Sequence, residues 1–480
     1  MAEQPLLVWF RQDLRLGDNP ALHAAVSTGR PVIAVYVLDD GSAGEWKPGG
    51  ASRWWLNRSL GALGESLAEQ GSRLILRRGP ARHVIPDLVA ETGASGVFWN
   101  RLYEPQAIHR DSDLKAALKA DGIQVHSFAG NLAFEPWTIM TGDGGPYRVF
   151  SPFMKACLRA EAPGRPLPRP VNWTMPDAWP RSDALDSWQL HPVAPDWSGG
   201  LQEHWTPGEA GATNRFLDFL DDRLDDYATA RDSMEQETTS RLSAHLHYGE
   251  ISVRTIWHTL AHRQAEGARS VDKFRAEVIW REFAHHLLFH YPSLPDANWR
   301  DTFDAFPWMD DVATYDAWCR GRTGYPLVDA GMAELWATGY MHNRVRMVAA
   351  SFLVKHLMTH WKRGAEWFWD TLVDADLANN SASWQWVAGS GADAAPYFRV
   401  FNPVRQGERF DPAGVYVRRW VPALKDLPDK YIHAPWTAPD AVLRDAGVRL
   451  GGNYPRPVVD HAEARKRALA GYETMKQGSG

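Results

Sequence analysis

Short apolar runs alternate with helical patterns over the first 130 residues. The runs are Leu6–Phe10, Pro31–Leu38, Arg73–Arg77, Gly96–Asn100 and Ile123–Phe128, with the length and character of buried parallel strands. Between them, apolar positions recur at helical spacing near Pro20–Ser27, Ala51–Gln70, Ala81–Glu91 and Pro105–Ala120. This alternation predicts an α/β domain over residues 1–130, built on a doubly wound parallel sheet. Ligands of such sheets bind beyond the carboxyl ends of the strands. No GxGxxG or phosphate-loop motif is present there, which disfavours ordinary dinucleotide or ATP binding. Residues 131–206 change character. Pro-rich, Trp-dotted stretches such as APGRPLPRPVNW and AWPRSDALDSW predict a long connector with little regular structure, wrapped on a surface. Residues 207–475 return to helical spacing, as in Phe274–Phe289 and Tyr340–Met358, and predict an all-α second domain.

Composition narrows the class. The 480 residues are 44% hydrophobic and 23% charged, ordinary values for a globular protein, but 24 are Trp. Most of those must fill cores; a functional minority is expected in the helical half. Cys157 and Cys319 are the only cysteines, too few for a disulfide framework or an iron–sulfur cluster. The start, MAEQPLLVWFRQDLR, lacks the form of a secretory signal, and no uncharged apolar run approaches 18 residues. A cytoplasmic monomer without membrane contact is expected. The net charge of −6 argues against a generally basic nucleic-acid binder, yet Arg399, Arg405, Arg409, Arg418 and Arg419 make one segment locally basic.

Chemistry concentrates in a few motifs. WFRQDLRLGDNPAL (9–22) follows the first strand and reads as a charged turn and then a helix, with Asp18 or Asn19 as cap and Pro20 in the first turn. TTSRLSAHLHYGEIS (238–252) places Thr239, Ser240, Arg241 and Ser243 at an apparent helix start. Hydroxyls, backbone N–H groups and a guanidinium there suit a phosphate, or else a plain cap. In FRAEVIWREFAHHLLFHYP (274–292), Glu277, Trp280 and Arg281 share a helical face that suits a flat, polar-edged ligand, or a salt bridge beside a core tryptophan. Glu282, His286 and His290 also stand at helical spacing; a zinc site is the lesser reading, with no metal expected. MHNRVRMVAASFLVK puts Asn343, Arg346 and Met347 on one face, and VDADLANNSASWQW puts Asp376 and Asn380 four apart before Trp384 and Trp386.

Together with TGYPLVDAGM and GADAAPYFRVFNP, these motifs resemble the DNA photolyase/cryptochrome family, most strongly over residues 238–420. The resemblance implies an α/β antenna domain joined by the connector to an all-α FAD-binding domain. It implies light-driven repair of cyclobutane pyrimidine dimers, in which excited, reduced FAD passes an electron to a dimer flipped out of DNA. Flipping a damaged step costs only a few kcal/mol. By resemblance, Tyr227, Thr239, Ser240, Arg241, Leu242, Ser243, Arg281, Asn343, Arg346, Asp374, Asp376 and Asn380 hold FAD. Asp376 faces the ring N3–H, Asp374 pairs with Arg346, and Asn380 lies near N5. Trp384, Trp361 and Trp308 match an electron-transfer triad. Glu277 and Met347 match cyclobutane-dimer enzymes, whereas (6-4) photolyases carry a histidine at the latter position. Trp280 and Trp386 would pack against the dimer, with Arg344, Arg399 and Gln406 on the DNA. An antenna chromophore, methenyltetrahydrofolate or a deazaflavin, is also implied. The alternatives are a cryptochrome-type blue-light photoreceptor, a (6-4) photolyase and, since no nicotinamide fingerprint is present, a less favoured dark flavoenzyme.

Overall fold

The computed structural model describes residues 3–394 and 398–478; Ala395, Pro396 and Tyr397 of the GADAAPYFRVFNP motif lie outside the described residues. The chain groups into two compact units. One comprises Met1–Asp226, Ser240–Pro292 and Val373–Ala378; the other comprises Tyr227–Thr239, Ser293–Leu372 and Asn379–Gly480. Packing therefore groups two later segments with the α/β region.

In the first unit, β1 (Leu6–Phe10), β2 (Val32–Leu38), β3 (Leu74–Arg78), β4 (Gly96–Asn100) and β5 (Gln124–Phe128) form a wholly parallel sheet in the order β3-β2-β1-β4-β5. Strand ends fall within a residue of those the apolar runs predict. Trp9, Ile33, Val35, Ile75, Val97 and Trp99 form a core with Ile85, Leu88, Leu114 and Leu118. Each such aliphatic side chain contributes about 1.5–3 kcal/mol on full burial. Asn19 is the cap of the first helix, accepting from the Leu22 N–H at 3.1 Å, with Pro20 behind it. Asp18 instead pairs with Arg254 and accepts from the Leu167 N–H.

The strand order reverses between β1 and β4, where doubly wound sheets take ligands. Here that crevice is spent on a side-chain network. Asn100 donates to Asp13 at 2.6 Å, Arg11 donates to Asp111 at 2.8 Å and to the Asn100 carbonyl, and the Arg11 guanidinium lies 4.4 Å over the Trp9 ring. The turn after β1 also packs on the later HLHYGE segment. Leu14 N–H donates to the Tyr248 carbonyl, and Arg15 donates to that of Gly249 at 2.7 Å. Gly249 is obligatory there: its φ is +63°, and a Cβ would lie 2.2 Å from the Gln12 carbonyl. The connector has little regular structure beyond the helices Phe150–Arg159 and Gly199–His204, but it is pinned. Val32 donates to Thr174, and Asp183 donates to Leu76, so it borders the sheet at backbone level.

The second unit is helical, its principal helices including Pro326–Thr338, Asn343–Ser351, Trp361–Thr371, Pro403–Phe410 and His461–Gly478. The expected single helix over Tyr340–Met358 is shorter. His342 caps it by accepting from the Arg344 N–H, and it ends at Ser351. A π-helical turn, Phe352–His356, follows. All five of its residues are buried, Lys355 among them, within a longer buried run from Val348 to Thr359. No described helix is long and apolar enough to cross a membrane.

Candidate functional site

Each unit carries its own part of the predicted set. In the first, the helix Val271–His290 presents Glu277, Trp280 and Arg281, all half-buried. Glu277 lies 3.5 Å from Lys273 one turn earlier. Trp280 stacks face to face on Phe150, with centroids 3.6 Å apart and planes at 7°. Arg281 donates to the Asn131 carbonyl at 2.9 Å and lies 3.4 Å from Glu282, so part of its donor capacity is committed to the connector.

Glu282, His286 and His290 turn to the connector and do not gather as a metal-ligand set. Glu282 is buried and accepts from the Ala133 and Phe134 N–H groups at 2.8 and 3.1 Å. His286 donates to the Pro136 carbonyl and accepts from the Tyr147 N–H; His290 donates to the same carbonyl. All three side chains fasten the connector, and no metal-ligand cluster occurs among the described residues. Burial, reinforced by His290, pushes His286 down to about 4.

The phosphate-like segment also differs from expectation. The helix begins only at Ser243 and runs to His247, and its cap position is Leu242, which has no side-chain acceptor. Ser240 Oγ instead lies 3.4 Å from the Leu242 N–H. Arg241 takes a left-handed conformation, φ +52°, and its guanidinium sits 5.4 Å over the Trp205 ring. That conformation is uncommon outside glycine and aims a buried cation where a regular turn would not. Asp374 and Asp376 are both buried. Asp376 has two imidazoles against it, His285 at 3.4 Å and His247 at 3.6 Å. Burial alone would raise its pKa, but the two histidines outweigh burial and hold it well below the carboxylate range.

In the second unit, Tyr227 is buried beneath the Arg231 guanidinium, and Thr239 Oγ1 lies 3.4 Å from the Tyr340 hydroxyl. The helix Asn343–Ser351 brings Asn343 and Met347 together on an open face, amide nitrogen to sulfur 4.0 Å. Arg346 donates to the Met341 carbonyl at 2.7 Å and covers the Tyr340 ring. Arg344 donates to Asp232 at 2.6 Å. Asn380 is buried and donates its amide to the Ala365 carbonyl at 3.0 Å, which leaves the side-chain oxygen as an acceptor.

Two of the three tryptophans are buried and the third is not. Trp384 and Trp361 are 2% and 0% exposed, and Trp308 is half-buried. Trp384 packs on Gly364 of the helix Trp361–Thr371, whose missing side chain admits the indole. Trp361 donates to Asn298 at 2.8 Å. Trp386 is half-buried and donates to the Asp393 carbonyl; Gln406 is half-buried and Arg399 exposed. Arg418, by contrast, is committed to Asp429 and to the Lys425 and Leu427 carbonyls.

Several residues escaped the sequence reading. His360 lies between Trp308 and Trp361, 4.9 and 5.4 Å from their rings, and its place beside Trp361 in the chain was the available signal. Lys355 donates to the Arg399 carbonyl and lies 4.5 Å over Phe398. Burial, with Arg399 adding, pushes its amine down to about 7. A lysine inside FLVKHLM was the visible clue. His247 and His285 had no such signal.

The fold class is an N-terminal parallel α/β domain with a helical FAD-binding domain, and known proteins share it. Residues 274–474 match the family model "FAD binding domain of DNA photolyase", and residues 6–171 match "DNA photolyase". The chain belongs to the DNA photolyase family. It is 52% identical to a deoxyribodipyrimidine photo-lyase of Agrobacterium fabrum, over 98% of each chain. It is 41% identical to Cryptochrome-1 of Arabidopsis thaliana, over 98% of this chain and 70% of that one. The crystal structure of a bacterial class III photolyase from Agrobacterium tumefaciens superposes with a TM-score of 0.96 at 51% identity, covering 99% of this chain and 98% of that one.

The residues present fit FAD. A buried carboxylate flanked by imidazoles suits the polar edge of a flavin ring, a buried arginine suits a pyrophosphate, and the buried His247 Nδ1 lacks a hydrogen-bond partner of its own.

Proposed function

We propose that this protein repairs cyclobutane pyrimidine dimers in DNA, driven by light. Bound FAD, in its reduced form, would supply the photoexcited electron that splits the dimer. The observation that carries the reading is Asn380. Its N–H is committed to the Ala365 carbonyl, so a neutral carbonyl oxygen remains where some photoreceptors of the family place a carboxylate. Asp374, Asp376 and Arg346 would meet the ring edge, with Tyr227, Thr239, Ser240, Arg241, Leu242, Ser243, Arg281 and Asn343 around the rest of the cofactor. Trp384, Trp361 and Trp308 would carry electrons in from the surface, the partial exposure of Trp308 suiting the outer end of such a path.

Glu277 would hydrogen-bond the pyrimidine carbonyls, and Met347 would give the dimer an apolar neighbour. Trp386 and the open face of Trp280 would pack on the flipped bases, while Arg344, Arg399 and Gln406 would hold the strand. The reading includes an antenna chromophore, a methenyltetrahydrofolate or a deazaflavin, and a monomer acting in the cytoplasm.

The test uses oligonucleotides carrying one defined lesion, with light-dependent recovery of thymine absorbance as the readout. Recovery with a cyclobutane dimer, reduced in Glu277→Ala while FAD stays bound, is expected. Repair confined to a (6-4) lesion would move the assignment to that substrate. Repair of neither by protein with reduced FAD bound would favour a photoreceptor, a reading supported by the identity to Cryptochrome-1.

A further inference from the structure

The contacts of Asp376 fix more than its own charge. His285 has an acceptor at each ring nitrogen. Nδ1 lies 3.0 Å from the Arg281 carbonyl, and Nε2 lies 3.4 Å from Asp376 Oδ2. A carbonyl only accepts, so Nδ1 carries hydrogen. A neutral ring would then turn the Nε2 lone pair toward a buried carboxylate, which is repulsive. Hydrogen on both nitrogens, the imidazolium form, makes both contacts attractive.

His247 approaches the same carboxylate oxygen, with Nδ1 at 3.6 Å and no hydrogen-bond partner for that atom. Glu104, which accepts from Gln12 at 3.2 Å, completes the group. Burial first, and then the charge of Asp376, push its carboxyl upward. On its own helix His285 also has the Arg281–Glu282 pair, whose members lie 3.4 Å apart.

We propose that His285 is a positioning residue for the photochemistry: as an imidazolium it holds Asp376 ionised, oriented and charge-compensated at the flavin edge. The proposal rests on the reading that Asp376 meets the flavin. Without that cation, the less compensated charge of the buried carboxylate would oppose the electron the flavin takes up, and Asp376 would take up a proton more readily. His247 is the second, weaker support and cannot replace the bridge to Arg281.

Spectroelectrochemistry of the purified flavoprotein tests this. His285→Gln keeps a donor and removes the charge. The midpoint potential of bound FAD should shift to a more negative value, and its dependence on pH should steepen. In an Asp376→Asn background the same His285 change should have little effect, since the carboxylate it compensates is gone. Retained FAD with an unmoved potential would overturn the proposal, as would an equal shift in the Asp376→Asn background. Wild-type protein that binds no FAD would sink the flavin reading itself, a separate failure. If His285→Gln does not fold, wild-type protein labelled with 15N-histidine decides. Protons on both ring nitrogens of His285 are expected, and a neutral tautomer would overturn the claim.

Discussion

Gly364 gives a sharp test of how Trp384 is seated. It lies inside the helix Trp361–Thr371, where glycine is a poor choice. Alanine in a helix interior is ordinarily worth about 0.5–1 kcal/mol over glycine. At this position a Cβ would fall 2.2 and 2.5 Å from the Trp384 ring and 2.6 Å from a Leu353 methyl. Neither neighbour is a free end, since Trp384 and Leu353 are both buried. Overpacking of this kind costs about 1–3 kcal/mol. Subtracting the helix gain leaves a net loss of up to about 2.5 kcal/mol for Gly364→Ala, toward the upper end at contacts this short. Gly61 is the control: it lies in the helix Gly50–Ala68, and a Cβ there meets nothing within 4 Å. Gly61→Ala should raise stability by about 0.5–1 kcal/mol. The assay is the urea unfolding midpoint of both variants, with light-driven reduction of the oxidised flavin as a second readout. Gly364→Ala should unfold earlier and photoreduce more slowly, because the indole must move. If it matches Gly61→Ala in stability and the wild type in photoreduction rate, Trp384 does not rest against Gly364.

Three further expectations rest on separate observations. Trp384→Phe should block photoreduction of oxidised flavin and spare repair by chemically reduced enzyme; a wild-type photoreduction rate would rule out the path. Arg344→Ala should weaken binding to damaged and undamaged DNA alike and lower the salt slope by about 1, whereas Asp232→Ala, by releasing Arg344 from its 2.6 Å pair, should tighten both; an effect confined to damaged DNA would indicate a base contact. His286 is pushed from 6.5 to about 4 on folding, so the unfolded chain takes up a proton at that site before the folded one does. Its contribution is full above pH 6.5 and is lost as pH falls toward 4, by about 2 kcal/mol at pH 5. His286→Gln should flatten the loss of stability between pH 7 and 5 seen in urea unfolding, and an unchanged slope would show that His286 is not held neutral.

The α/β sheet was legible because its strands are apolar runs bounded by polar turns, a signal that needs no partner. Helix ends were legible where the cap is local, as with Asn19 and Pro20. The range Tyr340–Met358 misled because periodicity does not show a change of winding. Spacing alone could not separate a regular helix from one that ends in a π turn at Phe352, in which Lys355 is buried. Thr239–Ser243 misled for a related reason: hydroxyls before an apolar run resemble a cap, but Arg241 takes a left-handed conformation and the helix waits until Ser243.

Polar pairing was the least legible layer. Glu282, His286 and His290 have the spacing of a metal site, and spacing is all a sequence offers. Whether such groups face a metal, solvent or another stretch of backbone depends on what packs over them, and here the connector does so through Ala133, Phe134, Pro136 and Tyr147. The same holds for Asp376. Asn380, four residues on, was visible from spacing, while His285 and His247 come from helices far away in the chain. A buried carboxylate must find compensating charge, so its presence predicts that partners exist. It does not predict which ones, because that choice belongs to tertiary packing. The motif therefore identified the carboxylate, and only the fold could supply the cation that governs its charge.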